Sequence, residues 1–152
     1  MRKKIRVYLD TSVISALFDK SNPERQDLTK RFFDEIESFE AYISEVVLAE
    51  IDDTKDVQLK GKLRSTAVSF EILSIAEESR RLADEYVRHG AIPSEYLEDA
   101  LHIAISTLNG IDYLLSWNFR HIVKVKTRRI VNMVNLSLSY PDLKIATPAE
   151  LI

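Results

Sequence analysis

The sequence predicts an α/β fold on a central parallel sheet of four to five short strands. Two observations carry that prediction. Segments rich in β-formers alternate with segments of helical period from one end of the 152 residues to the other. The strands that can be read are short and mostly apolar, as in a sheet covered on both faces. The length suits one domain, residues 1–152, with enough chain to enclose a sizeable core.

The elements follow in order. KIRVYLD alternates and is rich in β-formers, so residues 5–9 form the first strand. TSVISALFD continues as a helix, with Thr11 or Ser12 placed to cap it. NPERQDLTKRFFDEIESF is the next helix. Pro23 stands in its first turn, and Leu28, Phe32, Phe33, Ile36 and Phe39 form its apolar face. AYIS is a strand, and SEVVLAEIDD a helix with Ser44 as cap. DVQLKGKLRSTAV is a weaker amphipathic helix interrupted by Gly61, and FEILSI is a strand. AEESRRLADEYVRHG is a helix stopped by Gly90. SEYLEDALHIAISTLNG is another, with Ser94 as cap after Pro93 and Gly110 as stop. YLLS is a short strand, NFRHIVK and TRRIVNMVNLSLSY read as helical, and LKIATPAELI closes with a brief strand and a turn.

Composition removes several classes of chemistry. There is no cysteine, which excludes disulfides, thiol catalysis and cysteine-ligated zinc, and suits a reducing cytoplasm. With three glycines, neither a GxGxxG nor a GxxxxGK phosphate loop can be written. The apolar run after the basic start is too short for a signal peptide and soon meets Asp10. No stretch approaches the roughly 20 apolar residues of a membrane helix. A net charge of −3 argues against nucleic-acid binding over the whole surface, though not against a local basic groove.

In a parallel α/β sheet, ligands bind beyond the carboxyl ends of the strands. Asp10 ends the first strand, Asn118 follows YLLS, Glu50 lies on the helix after AYIS, and Asp99 on the helix before YLLS. Three carboxylates and an amide can thus converge from four separate segments. Clustered carboxylates repel, and one stays protonated unless a counter-charge is present. Oxygen ligands without cysteine or a histidine pair suit a hard ion, Mg²⁺ or Mn²⁺. Such an ion activates water and offsets charge on a phosphate, which is the chemistry of phosphodiester hydrolysis. As isolated residues the same acids have ordinary uses. Asp10 suits a helix cap, Glu50 an exposed helix acid, and Asp99 an arginine partner.

VYLDTSVISALFD, SEVVLAEI, EDALHIAIS and DYLLSWNFRHI, in this order from about residue 6 to residue 149, resemble the PIN-domain family, in particular the VapC-like toxins of toxin–antitoxin pairs. The resemblance implies a three-layer α/β/α Rossmann-like fold. It implies a Mg²⁺- or Mn²⁺-dependent endoribonuclease that leaves a 5′-phosphate and a 3′-hydroxyl. It further implies an RNA substrate, a cognate antitoxin, a homodimer, a cytoplasmic location and no membrane. Asp10 matches the first-strand aspartate, Glu50 the glutamate of the second motif, and Asp99 the aspartate before ALHIA. These three are the expected metal ligands. Asn118 stands where many members carry a fourth acid. It is expected to orient water or complete the ligand shell, without adding charge. Ser12 and Ser116 are expected donors to a carboxylate or phosphate. The alternative is a PIN-like interaction module with weakened or lost catalysis.

Neighbouring residues divide between site and scaffold. Five positions separate Glu45 from Glu50, a turn of roughly 140° on a helix, so the two cannot share a face. His102 reads as a core histidine and His121 as structural. Trp117 suits packing or stacking on a base. Asp112 sits at the wrong end of its strand. RHIVKVKTRR, with Arg120, Lys124, Lys126, Arg128 and Arg129, is the candidate grip on RNA phosphates. Haloacid-dehalogenase-like phosphatases need an Asp-x-Asp after the first strand, and Ser12 replaces the second aspartate. Receiver domains need a lysine after a late strand, which LLSWN lacks.

Overall fold

The structure is a computed structural model that describes residues 3–152. Five strands form one sheet: β1 (Ile5–Leu9), β2 (Phe39–Ser44), β3 (Glu71–Leu73), β4 (Tyr113–Leu115) and β5 (Lys144–Ala146). Their order is β3-β2-β1-β4-β5, and every neighbouring pair is parallel. The helices are α1 (Thr11–Ala16), α2 (Pro23–Asp34), α3 (Glu45–Asp52), α4 (Val57–Ala67), α5 (Glu77–Arg88), α6 (Leu97–Leu108) and α7 (Val125–Ser137). The chain runs from β1 outward to β3, then returns past β1 to β4 and β5. With right-handed crossovers, that reversal sets α1–α4 on one face of the sheet and α5–α7 on the other. No described helix is long and apolar enough to cross a membrane.

The centre of the sheet is apolar because it is covered twice. Val7, Tyr8, Leu9, Ile43, Leu114 and Leu115 are wholly buried, against Val13, Ile14, Val47 and Ile51 from one helical set and Ala100, Ile103 and Ile105 from the other. Each fully buried Leu or Ile contributes about 1.5–3 kcal/mol, so the middle strands are the rigid base for whatever lies at their ends. β1 and β4 pair with Leu9 opposite Leu115. The next residues, Asp10 and Ser116, therefore leave the sheet side by side. The strand order reverses between these two strands, which is the usual ligand crevice of an open α/β sheet.

Several local expectations are corrected. Asp10, rather than Thr11 or Ser12, caps α1, accepting a hydrogen bond from the Val13 amide at 3.3 Å. The second helix stops at Asp34, and a single 3₁₀ turn, Ile36–Ser38, leads into β2, which takes Phe39. Ser94 does not cap α6. It opens a 3₁₀ turn, and Tyr96 precedes the helix with no capping side chain. Residues 118–124 are not helical, because Asn118 captures their amides: its backbone oxygen takes those of Ile122 and Val123. Ser44 caps α3 as expected, through the Val46 amide at 3.1 Å.

Candidate active site

Asp10 is 3% exposed and lies on the floor of the crevice. Both its oxygens are held. Ser12 Oγ donates to Oδ1 at 2.5 Å, and Ser116 Oγ donates to Oδ2. The two hydroxyls are themselves fixed, accepting from the Trp117 amide at 2.8 Å and the Asn118 amide at 2.9 Å. The carboxylate thereby ties β1 to the chain leaving β4. Burial pushes its pKa up, and the opposing pull of His102 and of these donors leaves it raised.

Glu50 reaches the crevice from the second half of α3. Its Oε1 accepts from Thr11 Oγ1 at 2.7 Å and is 2.6 Å from His102 Nε2. Burial pushes the carboxyl up, but His102 and Thr11 outweigh it, and the net shift is downward. Glu45 points elsewhere, accepting from the Ile75 amide at 2.7 Å. The helical-wheel separation of the two glutamates is thus what the structure has.

His102 is 2% exposed. The sequence reading as a core histidine holds for its burial and misses its bonds. Nδ1 lies 2.6 Å from Tyr8 Oη, and Tyr8 Oη lies 2.6 Å from Ser44 Oγ. A buried chain runs Ser44–Tyr8–His102–Glu50–Thr11, from the end of β2 to the start of α1. Burial pushes His102 down, while the Glu50 bond and the charges of Glu50, Asp10 and Asp99 push it up further, so the imidazolium is favoured. With both nitrogens protonated, Nε2–H donates to Glu50 and Nδ1–H to Tyr8, whose own proton turns to Ser44. The available signal for His102 was its place three residues after Asp99 on a strongly apolar helix.

Asp99 enters from the first turn of α6, where the helix dipole favours a negative charge. It is half-buried, and its one polar contact among the described residues is long, from Asn118 Nδ2 at 3.4 Å to Oδ2. Burial pushes it up to about 6, with Glu50 and Asp10 adding to the rise and His102 and Asn118 opposing it. Its neutral partner cannot replace a cation. Asn118 uses Oδ1 on the amides of Arg120 at 3.1 Å and His121 at 2.9 Å. Only its NH₂ faces Asp99, so the expectation of an oxygen ligand there is not what the side chain offers.

Asp10, Glu50 and Asp99 therefore stand near enough for their charges to act on one another. Among the described residues, no three histidine or acidic side chains are gathered closely enough to cage an ion. The donor set nevertheless fits a hard dication. It is all oxygen, the like charges are unrelieved at Asp99, and Asp99 Oδ1 and Glu50 Oε2 take no hydrogen bond among the described residues.

The remaining candidates separate. Trp117 is 8% exposed and donates to Thr29 Oγ1 at 2.9 Å, so it packs. Phe119, which the sequence reading passed over, is 50% exposed, and Arg25 lies against both rings. Asp112 accepts from the Arg6 amide at 2.9 Å at the far end of the sheet. The basic cluster is shared between two concavities. Arg128 donates to the Ile145 carbonyl at 3.3 Å, Arg129 lines one concavity with Met133, Arg120 and Lys124 line another beside the loop before α6, and Lys126 borders both.

Comparisons with known proteins agree with this fold. A family model described as "PIN domain" matches residues 7–122. No curated protein sequence matches the chain. The chain superposes on Mycobacterium tuberculosis VapC20, described as a sarcin-ricin loop cleaving toxin, with a TM-score of 0.62 at 19% identity, over 76% of this chain and 92% of that one. A toxin–antitoxin complex from Klebsiella pneumoniae gives 0.59 at 17% identity, over 78% and 92%. VapBC2 from Rickettsia felis, bound to a DNA fragment from its promoter, gives 0.61 at 16% identity, over 93% and 97%. At these identities the likeness is one of fold.

Proposed function

The chain belongs to the PIN-domain family, and on that premise we propose that it is a Mg²⁺- or Mn²⁺-dependent endoribonuclease, the toxin of a toxin–antitoxin pair. The observation that carries the reading is Asp99. Its carboxyl is pushed up to about 6 by burial and by two neighbouring carboxylates, with no cationic side chain bonded to it. A site that gathers negative charge and leaves it unmet is built for a cation.

Asp10, Glu50 and Asp99 would hold the ion. When bound, it supplies Lewis acidity toward water and the phosphate. The chain's own residues do the rest. Ser12 and Ser116 fix both oxygens of Asp10, so its orientation does not depend on the ion. His102 and Thr11 fix one oxygen of Glu50 and leave the other available. Asn118 steadies Asp99 without adding a fourth charge. The partners that follow are RNA as substrate and a cognate antitoxin, with a second copy as the expected assembly and the cytoplasm as the place of action. Val125, Met133 and Leu136, 64%, 55% and 81% exposed on α7, offer apolar area for a protein partner to cover.

The test is cleavage of single-stranded RNA by the purified protein with Mn²⁺, with and without excess EDTA, beside Asp10→Asn. Metal-dependent cutting lost in the variant is the expected result. Equal cutting in EDTA overturns it. The second reading, an interaction module, is favoured by the open arrangement of the acids and by the amide at position 118. Calorimetry with Mn²⁺ separates the two, since a module of that kind binds none.

A further inference from the structure

A cavity of about 420 Å³ opens between the loop before α6 and the turn after β4. Arg120, His121, Lys124 and Lys126 line it together with Gly90–Ser94. None of the three cations is paired with a carboxylate among the described residues, although Lys124 Nζ donates to the Arg120 carbonyl at 3.3 Å. The nearest acid on the loop, Glu95, is exposed and takes the Ser94 hydroxyl at 2.9 Å. His121 Nε2 is shielded from solvent and has no hydrogen-bond partner. Its ring lies on Tyr96, centroids 4.1 Å apart, with Arg120 over the same ring. α7 begins beside the cavity with no side chain capping its first turn, so those amide donors add to the positive side. Three unpaired cations around one concavity select a compact anion of high charge.

The cavity is mechanically coupled to the carboxylates. Asn118 holds the amides of Arg120 and His121 with Oδ1 while its NH₂ reaches Asp99. One side chain thus ties the turn that carries the basic wall to the acidic site. An anion that must sit at a set separation from a second phosphate is a phosphate of the same polynucleotide. Resting on the ribonuclease reading, we propose that this cavity binds a backbone phosphate of the RNA a short distance from the scissile one, and so sets the register of the cut.

The test uses the full chain and a fluorescein-labelled single-stranded RNA in EDTA, followed by anisotropy, so that binding is read without cleavage. Arg120→Ala with Lys124→Ala is compared with Arg80→Ala with Lys55→Ala, which removes the same charge from exposed positions elsewhere. The cavity variant should bind about tenfold more weakly and lower the slope of log affinity against log salt by about 1–2, the release of one or two counterions. Its Mn²⁺ affinity should be unchanged, and its cuts should spread over neighbouring positions. Equal affinity and slope in the two double variants overturn the proposal, as does an absence of RNA binding by the unaltered chain. In a second arm, inorganic phosphate is titrated while the His121 imidazole resonances are followed. A shift there without any effect of the cavity variant on RNA assigns the cavity to free phosphate and overturns the RNA assignment. A protein that binds RNA through these side chains yet cuts nothing with Mn²⁺ defeats the nuclease reading and leaves the cavity standing.

Discussion

α6 carries two buried polar networks, one at each end, and they are built on opposite plans. Toward its C-terminus, Thr107 meets Tyr86 and Asn135. Tyr86 Oη donates to Asn135 Oδ1 at 2.5 Å and lies 3.1 Å from Thr107 Oγ1, and Asn135 Nδ2 reaches Thr107 at 3.4 Å. Every group is neutral, and burial drives the Tyr86 phenol above its ordinary range, so it stays neutral. Toward its N-terminus, His102 bonds Glu50 and the neutral Tyr8, and the carboxyls of Asp10 and Asp99 act on it through charge alone, so the charges are not cancelled by bonds. The neutral network is closed and stabilises α5, α6 and α7 against one another. The charged one has an open valence. Burying a charge without a full partner costs stability, and a fold retains such a site when something outside the chain completes it.

The sharpest way to break this comparison is to neutralise one acid in each sense. Asp10→Asn and Asp99→Asn should each lower Mn²⁺-dependent RNA cleavage by at least about 10²-fold, the scale of losing one fixed electrostatic partner of a transition state. Tyr86→Phe should leave the cleavage rate of the folded protein unchanged. It should cost about 1–3 kcal/mol, because Asn135 then keeps a buried oxygen with no donor. Rates paired with thermal melts separate the two patterns. If Tyr86→Phe also lost activity at full stability, the division between a closed and an open network would be wrong.

A smaller effect sharpens the role of the histidine. His102→Ala removes the donor to Glu50 and should weaken Mn²⁺ binding by about 10–100-fold, the usual loss when an outer partner of a metal ligand is removed. His102→Gln should recover part of it by supplying an N–H in the same direction. Calorimetry reads both. Equal Mn²⁺ affinity in all three proteins would make the 2.6 Å contact a packing feature only.

How much of this was legible in the sequence follows the range of the interactions. The fold came through because it is written locally: the β-formers of residues 5–9, the Ser44 cap, and Gly90 and Gly110 at helix ends, both with positive φ. Asp10, Glu50 and Asp99 were singled out by their positions at strand ends and on helices together with the family resemblance, and their charges do act on one another at one crevice. What escaped is long-range. The His102–Glu50 and His102–Tyr8 bonds close spans of 52 and 94 residues, and nothing near His102 announces them. NFRHIVK has helical composition, but Asn118 competes for its amides and wins, the usual habit of asparagine at the start of a turn. The basic cluster was visible as a run of charge. Its division between two concavities depends on where α7 begins.

Acidity gives the next contrast. Asp10 and Asp99 have raised folded pKa values, so the metal-free fold binds their protons more tightly than the unfolded chain does. Their favourable contribution, present at low pH, is lost as pH rises, for Asp99 through about 6. His102 is also raised, and its stabilisation, complete below the ordinary histidine range, is lost as pH climbs through its higher folded value. Glu50 is lowered and works the other way only in acid, where its stabilisation is lost as pH falls through its folded value. Metal-free protein should therefore melt lower at pH 8 than at pH 5, by a few degrees at about 2–4 °C per kcal/mol. Mn²⁺ should recover the stability lost at pH 8, and Asp99→Asn should reduce the difference without abolishing it, because Asp10 and His102 remain. A melting temperature that is level from pH 5 to pH 8 without metal would count against buried, unrelieved charge.

The smallest effect tests the amide at position 118 itself. Asn118→Asp can still accept from the Arg120 and His121 amides, so the turn after β4 should survive. Its second oxygen would replace an N–H donor 3.4 Å from Asp99 Oδ2. The new like charge should lower the metal-free melting temperature at pH 8 by a few degrees and increase the gain on adding Mn²⁺. It carries the charged network further from the Tyr86 plan, toward more unmet charge and a larger response to a cation. Should the variant instead be more stable without metal and indifferent to Mn²⁺, the acids around Asp99 would not be acting as one electrostatic unit. Asn118 would then be a turn residue whose nearness to Asp99 has no consequence.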